Sequence, residues 1–246
     1  MTRAPLSAWQ TNTLRLTSFH DVIDPTPFET VYKDVVGQEP DNSIKRREGF
    51  QAEGMLNDGL IALSVPTMSV PKRIDWLYTT PEDGSTVGGF TETLISFKKI
   101  ISSWLSKCPA VKRLALGVIV ILPVADKESG YRQLAPYLPS LTIEAVGSSD
   151  LLYQINRPRD SKLSIAGLTI NRLSKWQVSI TNRVQFGLSG GAPQALMESS
   201  SVRCQVELDI NTSPQVQGSL PSEQLIAIVD ELEHLALEIL QNGDTP

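Results

Sequence analysis

The chain has 246 residues, a hydrophobic fraction of 41%, a charged fraction of 20% and a formal net charge of −5. That length fits one large domain or two small ones with a sizeable core. The acidic balance argues against wholesale nucleic-acid coating but leaves local patches open. Cys108 and Cys204 are the two cysteines, too few for a disulfide framework or a zinc site. They point to a reducing cytoplasm, and no residue pattern calls for a cofactor. The N-terminus carries no apolar run of signal-peptide length. The longest apolar run, Leu114 to Val124, is about half of what a bilayer requires, so no membrane insertion is expected.

Apolar alternation at Leu14, Leu16 and Val22 predicts a first strand over about residues 12–23. Thr26-Pro27-Phe28-Glu29 is a capping box with proline in the first helical position, and Gly37 supplies the stop. Asn57-Asp58-Gly59 between two apolar alternations predicts a hairpin. Ile74, Trp76 and Tyr78 place a further strand at 73–79. Phe90, Leu94, Phe97, Ile101, Trp104 and Leu105 form one helical stripe over about 90–107. An apolar strand over 111–122 follows, then a short helix or turn at 131–138.

The second half reads mainly as strands at about 141–147, 151–157, 163–173, 175–188 and 201–212. Arg172 and Lys175 flank an expected tight turn, and Gly187 to Gly191 an expected flexible connection. A long amphipathic helix over 222–240 carries Leu225, Ile228, Val229, Leu232, Leu235, Ala236, Ile239 and Leu240 on one stripe, with Gly243 closing it. The fold class is therefore α+β, with amphipathic helices packed on antiparallel sheets. Two loosely similar halves, 1–124 and 125–246, are expected to form one compact unit.

Charge is divided along the sequence. The last 43 residues carry eight acids and no Lys or Arg, whereas 151–185 carries six Lys/Arg against one acid. The candidate binding residues are Arg157, Arg159, Lys162, Arg172, Lys175 and Arg183, with Tyr153, Trp176 and Phe186 interleaved. Cations with exposed aromatics on strands can hold single-stranded nucleic acid. The same cations can meet an acidic protein surface, or pair within the molecule. Trp176 shares its alternation with Val178 and Ile180, which places it in the core. Lys45-Arg46-Arg47 is a second, shorter basic cluster.

Catalytic patterns are weak. Gly187-Leu188-Ser189-Gly190-Gly191 matches G-x-S-x-G, with Asp209 and His234 following in hydrolase order. The flanking sequence lacks the strand-to-helix turn and the βα repeats that such a site needs. Glu231-x-x-His234 could present two metal ligands on one helical face, but the sequence has a single such pair. The plainer reading is a solvated acidic face. His20-Asp21 reads as a structural histidine at a strand end.

The strand ending Asp209-Ile210-Asn211 and the helix that follows it resemble a sporadically distributed bacterial family of about this length and unknown function. Gly49-Phe50-Gln51, the Asp-Gly hairpin, the Trp76 strand, the amphipathic helix and the apolar strand after it resemble that family in order. The resemblance supplies no catalytic residue. It implies components of anti-phage defence, including the sensor of a two-gene system that kills jumbo phages. The expected function is a non-enzymatic recognition or adaptor protein with an acidic protein partner. A nucleic-acid binder using strands 151–183 is the second reading, and a serine hydrolase using Ser189 the third. The sequence leaves oligomeric state open.

Overall fold

The computed structural model describes residues 2–24, 28–66, 68–81, 85–189, 192–216 and 218–245, with backbone only at Glu29, 183–189 and 192–199. In order along the sequence the elements are β1 (Gln10–His20), α1 (Phe28–Val36), β2 (Asn42–Arg46), β3 (Gly49–Leu56), β4 (Gly59–Pro66), β5 (Lys72–Thr79) and α2 (Phe90–Leu105). There follow β6 (Arg113–Val124), α3 (Lys127–Leu134), β7 (Leu152–Asn156), β8 (Arg159–Asp160), β9 (Thr169–Ser189), β10 (Ala192–Thr212) and α4 (Leu225–Asn242). The ten strands make one sheet, ordered β2-β3-β4-β5-β1-β6-β10-β9-β7 with β8 also on β9. Every pairing is antiparallel. The α+β class holds, in a single sheet that runs through both halves.

Register explains why the strands bury one face. Leu14, Leu16 and Ser18 lie opposite Tyr78, Trp76 and Ile74 on one side and opposite Val118, Leu116 and Leu114 on the other. All these residues are buried. With a period of two, the neighbouring positions Thr13, Arg15 and Thr17 must point to the opposite face.

The four helices pack on the apolar side. Tyr32 of α1 stacks against Trp76, and Trp104 of α2 packs against Trp76 and Phe28, with ring centroids 6.0 to 6.2 Å apart. At the other end Tyr137 lies against Trp176 at 5.3 Å and edge-on to Trp9 at 5.9 Å. Burying one such aromatic contributes on the order of 2–3 kcal/mol. The Asp126 carboxylate accepts from Ser129 N at 2.7 Å and caps α3. Gly243, at φ 76°, closes α4. The sequence-derived stripes of α2 and α4 are the buried faces of those helices.

Three expectations need correction. Residues 163–173 and 175–188 are not two strands around a turn. The ladder runs unbroken from Asn171 opposite Asn211 to Lys175 opposite Glu207 within the 21-residue β9. Arg172 and Lys175 lie at positions of opposite parity, so they occupy opposite faces rather than flanking a bend. Residues 141–147 form no strand; Leu141 and Val146 are exposed and pair with no strand among the described residues. Gly187 to Ser189 belong to β9, with Ser189 paired to Ala192, rather than to a flexible connection, while Gly190 and Gly191 lie outside the described residues. The Thr26 cap lies outside the described residues.

Beyond Ile180 and Val202 the two longest strands pair only with each other among the described residues. They form an arm reaching about 30 Å past the third strand, at 3.3 Å per residue.

Candidate functional site

The helix-free face of the sheet carries the candidate site. One row of residues crosses it at matched register: Asn156, Leu173, Asp209, Gly117, Arg15, Leu77, Ala62 and Glu53. This row spans eight strands, about 34 Å at 4.8 Å per spacing. Two depressions lie along it. One of about 360 Å³ has Leu77, Gly117, Leu173, Lys175, Glu207 and Asp209 in its wall. The other, of about 310 Å³, is lined by Gln51, Glu53, Ala62, Ser64 and Asp75. They share Arg15 and Leu77, so together they make one trough.

Most polar groups on this face are already paired. Lys175 Nζ and Gln205 Nε2 donate to the same Glu207 oxygen at 3.0 and 2.8 Å. Asp75 accepts from Thr17 Oγ1 at 2.6 Å and lies 3.0 Å from Arg73 Nε. Arg113 donates to Asn211 Oδ1 at 2.7 Å and packs over the Phe19 ring. Asn211 donates to Asp209 Oδ1 at 3.0 Å.

Arg15 is the exception. It is exposed, and its guanidinium has no hydrogen bond or ion pair among the described residues. It lies over Gly117: a Cβ placed there would stand 3.4 Å from Arg15 Nε and 3.5 Å from Nη2. Asp209, the next residue in the row, has no cation partner among the described residues. An unpaired guanidinium and an unpaired carboxylate thus open into one trough. Half-buried Leu77, Ile119 and Leu173 supply apolar surface beside them.

The basic residues named from the sequence go elsewhere. Arg157 donates twice to Asp244, through Nη2 at 2.9 Å and through Nε, and Tyr153 donates to the same carboxylate at 2.5 Å. Arg159 makes a two-bond fork with Glu238 at 2.9 and 3.0 Å, and buried Arg172 reaches Glu238 Oε1 at 3.2 Å. These guanidiniums hold the Asp244 and Glu238 carboxyls below their ordinary range. The acidic counterpart of Arg157, Arg159 and Arg172 is therefore the protein's own Glu238 on α4 and Asp244 just after it. Arg172 Nε is buried without a hydrogen-bond partner among the described residues, beside a cavity of about 10 Å³. That volume holds one water and no larger anion.

Lys162 contributes its backbone N–H to Glu231 at 2.7 Å, while its side chain is exposed. Lys175 is on the trough face, and the Arg183 side chain lies outside the described residues. The five described side chains do not form one surface.

The remaining candidates are also placed. Ser189 ends β9, whereas Asp209 pairs with Leu173 sixteen residues back along the strand, about 50 Å away. His234 is exposed on α4. The three do not converge. Glu231 is occupied by Ser161 Oγ at 2.5 Å and Lys162 N. No group of metal-binding side chains occurs among the described residues. His20 is buried, with Nδ1 3.0 Å from Ala110 O and Nε2 2.8 Å from Ser18 Oγ. Burial lowers its pKa, partly offset by the Ala110 bond. Among the described residues no helix is long and apolar enough to cross a membrane.

Arg15 and Gly117 each leave a trace in the sequence, though neither trace marks a site. Arg15 is the charge inside Leu14-x-Leu16, and Gly117 is the lone glycine of an eleven-residue apolar run. Their adjacency depends on cross-strand register, which the sequence does not print. Comparison with protein-family models, curated proteins and solved structures gave no match.

Proposed function

We propose that this protein is a non-enzymatic recognition or adaptor protein that holds a segment of a partner polypeptide across the open face of its sheet. The observation that supports the reading is the Arg15–Gly117–Asp209 row: two unpaired, opposite charges facing one trough with apolar walls. A polypeptide is the polymer that offers both charge signs and apolar side chains together. A nucleic acid offers one sign, and would meet the carboxylates of Glu53, Asp75, Glu207 and Asp209 along the same path. The trough's 34 Å matches about ten extended residues at 3.3 Å each.

A nucleic-acid reading built on strands 151–183 loses three of its six cations, because Arg157, Arg159 and Arg172 are engaged by Asp244 and Glu238. A hydrolase built on Ser189 loses Asp209 as its acid, because Asp209 pairs with Leu173, about 50 Å from Ser189 along β9. The family resemblance adds a setting, in which the protein serves as the sensor component of a two-gene bacterial anti-phage system. In that setting the bound segment belongs to a phage protein or to the partner gene's product.

Selection of nonapeptides from a random display library tests the molecular reading. Wild-type protein is expected to enrich binders that Gly117→Trp, which fills the trough, fails to retain. Equal retention by both proteins, or no enrichment at all, overturns it. The defence setting is tested separately, by plating phage on cells carrying the two-gene system with wild-type protein or with Arg15→Glu. Protection lost with Arg15→Glu supports the setting, and unchanged protection removes it.

A further inference from the structure

We infer that Arg15 is the anchor for a peptide carboxylate, with the neighbouring N–H or ammonium group of the ligand on Asp209. This inference rests on the peptide-binding reading above. Arg15 presents a planar fork of donors that no side group in the described protein occupies, and that fork matches a carboxylate through two parallel bonds. Its guanidinium is held over Gly117, where any side group would lie against it. Glycine at this position leaves the approach from solvent open.

Asp209 stands on the far side of that glycine, two strand spacings or about 10 Å from Arg15 between Cα atoms. Its one partner among the described residues is the Asn211 amide, so it keeps acceptor capacity toward the trough. The other charges nearby are committed: Glu207 to Lys175, and Asp75 to Arg73. Around Gly117 the trough therefore offers one cation and one anion in a fixed order across the strands, and Glu53, which accepts from Asn42, stands two strands beyond Leu77.

This arrangement selects by charge type. A monocarboxylate balances Arg15 while leaving Asp209 free for an N–H. A phosphate dianion would place a second negative charge beside Asp209. Leu77 lies on the outer flank of Arg15, and Leu173 beyond Asp209. An apolar residue on either side of the ligand's carboxylate-bearing residue would rest on these two. The preferred segment is an acidic residue, or a free terminal carboxylate, flanked by apolar residues.

The test uses fluorescence polarisation with labelled nonapeptides from the display selection. Each is paired with a version in which Asp or Glu is replaced by Asn or Gln, or the terminal carboxylate is amidated. On wild-type protein, loss of the carboxylate is expected to weaken binding by about tenfold to a hundredfold, the range for a hydrogen-bonded charged group. On Arg15→Gln the same change is expected to alter binding less than about twofold, because the two losses are one interaction. Arg15 is exposed, and a circular dichroism melt confirms that the variant is folded. Peptides that bind in a Gly117-dependent way but ignore the carboxylate overturn this inference and leave the peptide-binding reading standing. Failure of every peptide, or tighter binding of a twelve-nucleotide single-stranded RNA, overturns both.

Discussion

Arg15 and Asp209 face each other across Gly117 on the open side of the sheet, opposite in charge and without a bond between them. On the closed side the same strands carry Leu14, Leu16, Leu208 and Ile210 into the core. Burial thus fixes the register of the strands, and register fixes the separation of the two charges. A one-residue slip would turn both into the core.

Reversing the basic segment should damage the fold before it damages any binding. Arg159→Glu sets a carboxylate against Glu238 and removes one of the two guanidiniums that hold it. A fall in Tm of about 3 °C or more is expected, because the pair is partly buried and holds the carboxylate that buried Arg172 also uses. Lys162→Glu, with an exposed side chain, should move Tm by about 1 °C or less. Thermal melts of the two variants check this; equal effects would contradict the placement of Arg159.

Gly243→Ala should be severe for a residue so near the terminus. Its Cβ would stand 2.2 Å from the Tyr137 carbonyl oxygen, at φ 76°. Gly243 also positions Asp244, whose backbone N–H donates to that same oxygen at 2.8 Å. A loss of about 2–4 kcal/mol is expected from strain and displaced backbone together. Urea denaturation measures it.

Acid should weaken the protein in two stages. His20 has a folded pKa below its ordinary 6.5, so the unfolded state binds the proton first. Stability is then lost as pH falls below about 6.5. Asp244 and Glu238 have folded values below their ordinary 3.8 and 4.5. Their contribution is complete above those values and disappears as pH falls through the folded ones. Melts from pH 8 to pH 3 should show both stages, and His20→Gln should remove the first alone.

The β9–β10 arm should be dispensable for folding. Asn182 and Ser200 pair directly, so residues 183–199 can be replaced by Asn-Gly, a two-residue hairpin loop. The shortened protein should keep its Tm within about 3 °C, because the arm's strands pair with nothing else among the described residues. A collapse of the melt would mean that the arm supports the body.

How much is legible in the sequence follows from the range of each signal. The Asn57-Asp58-Gly59 hairpin, the α2 stripe and the α4 stripe are local patterns, and each stands where the sequence puts it. Arg172 and Lys175 look like turn flanks because two charges lie close together in sequence. Their opposite parity instead sends one to Glu238 under the sheet and the other to Glu207 on top. The partner of the basic segment is also visible as the acidic tail, but proximity of residues 157 and 244 is a tertiary fact. Arg15, Gly117 and Asp209 are separated by about a hundred residues at each step, and only the pairing of β1, β6 and β10 joins them.

Site-directed photo-crosslinking addresses the open face most directly. A benzophenone group would replace exposed Gln154, at the rim of the trough, or exposed Lys99, on α2 at the opposite face. Irradiation with a selected nonapeptide should label the protein carrying the probe at 154 and leave the protein carrying it at 99 unlabelled. Labelling at 99 alone, or equally at both, would place recognition off the helix-free face and contradict the account.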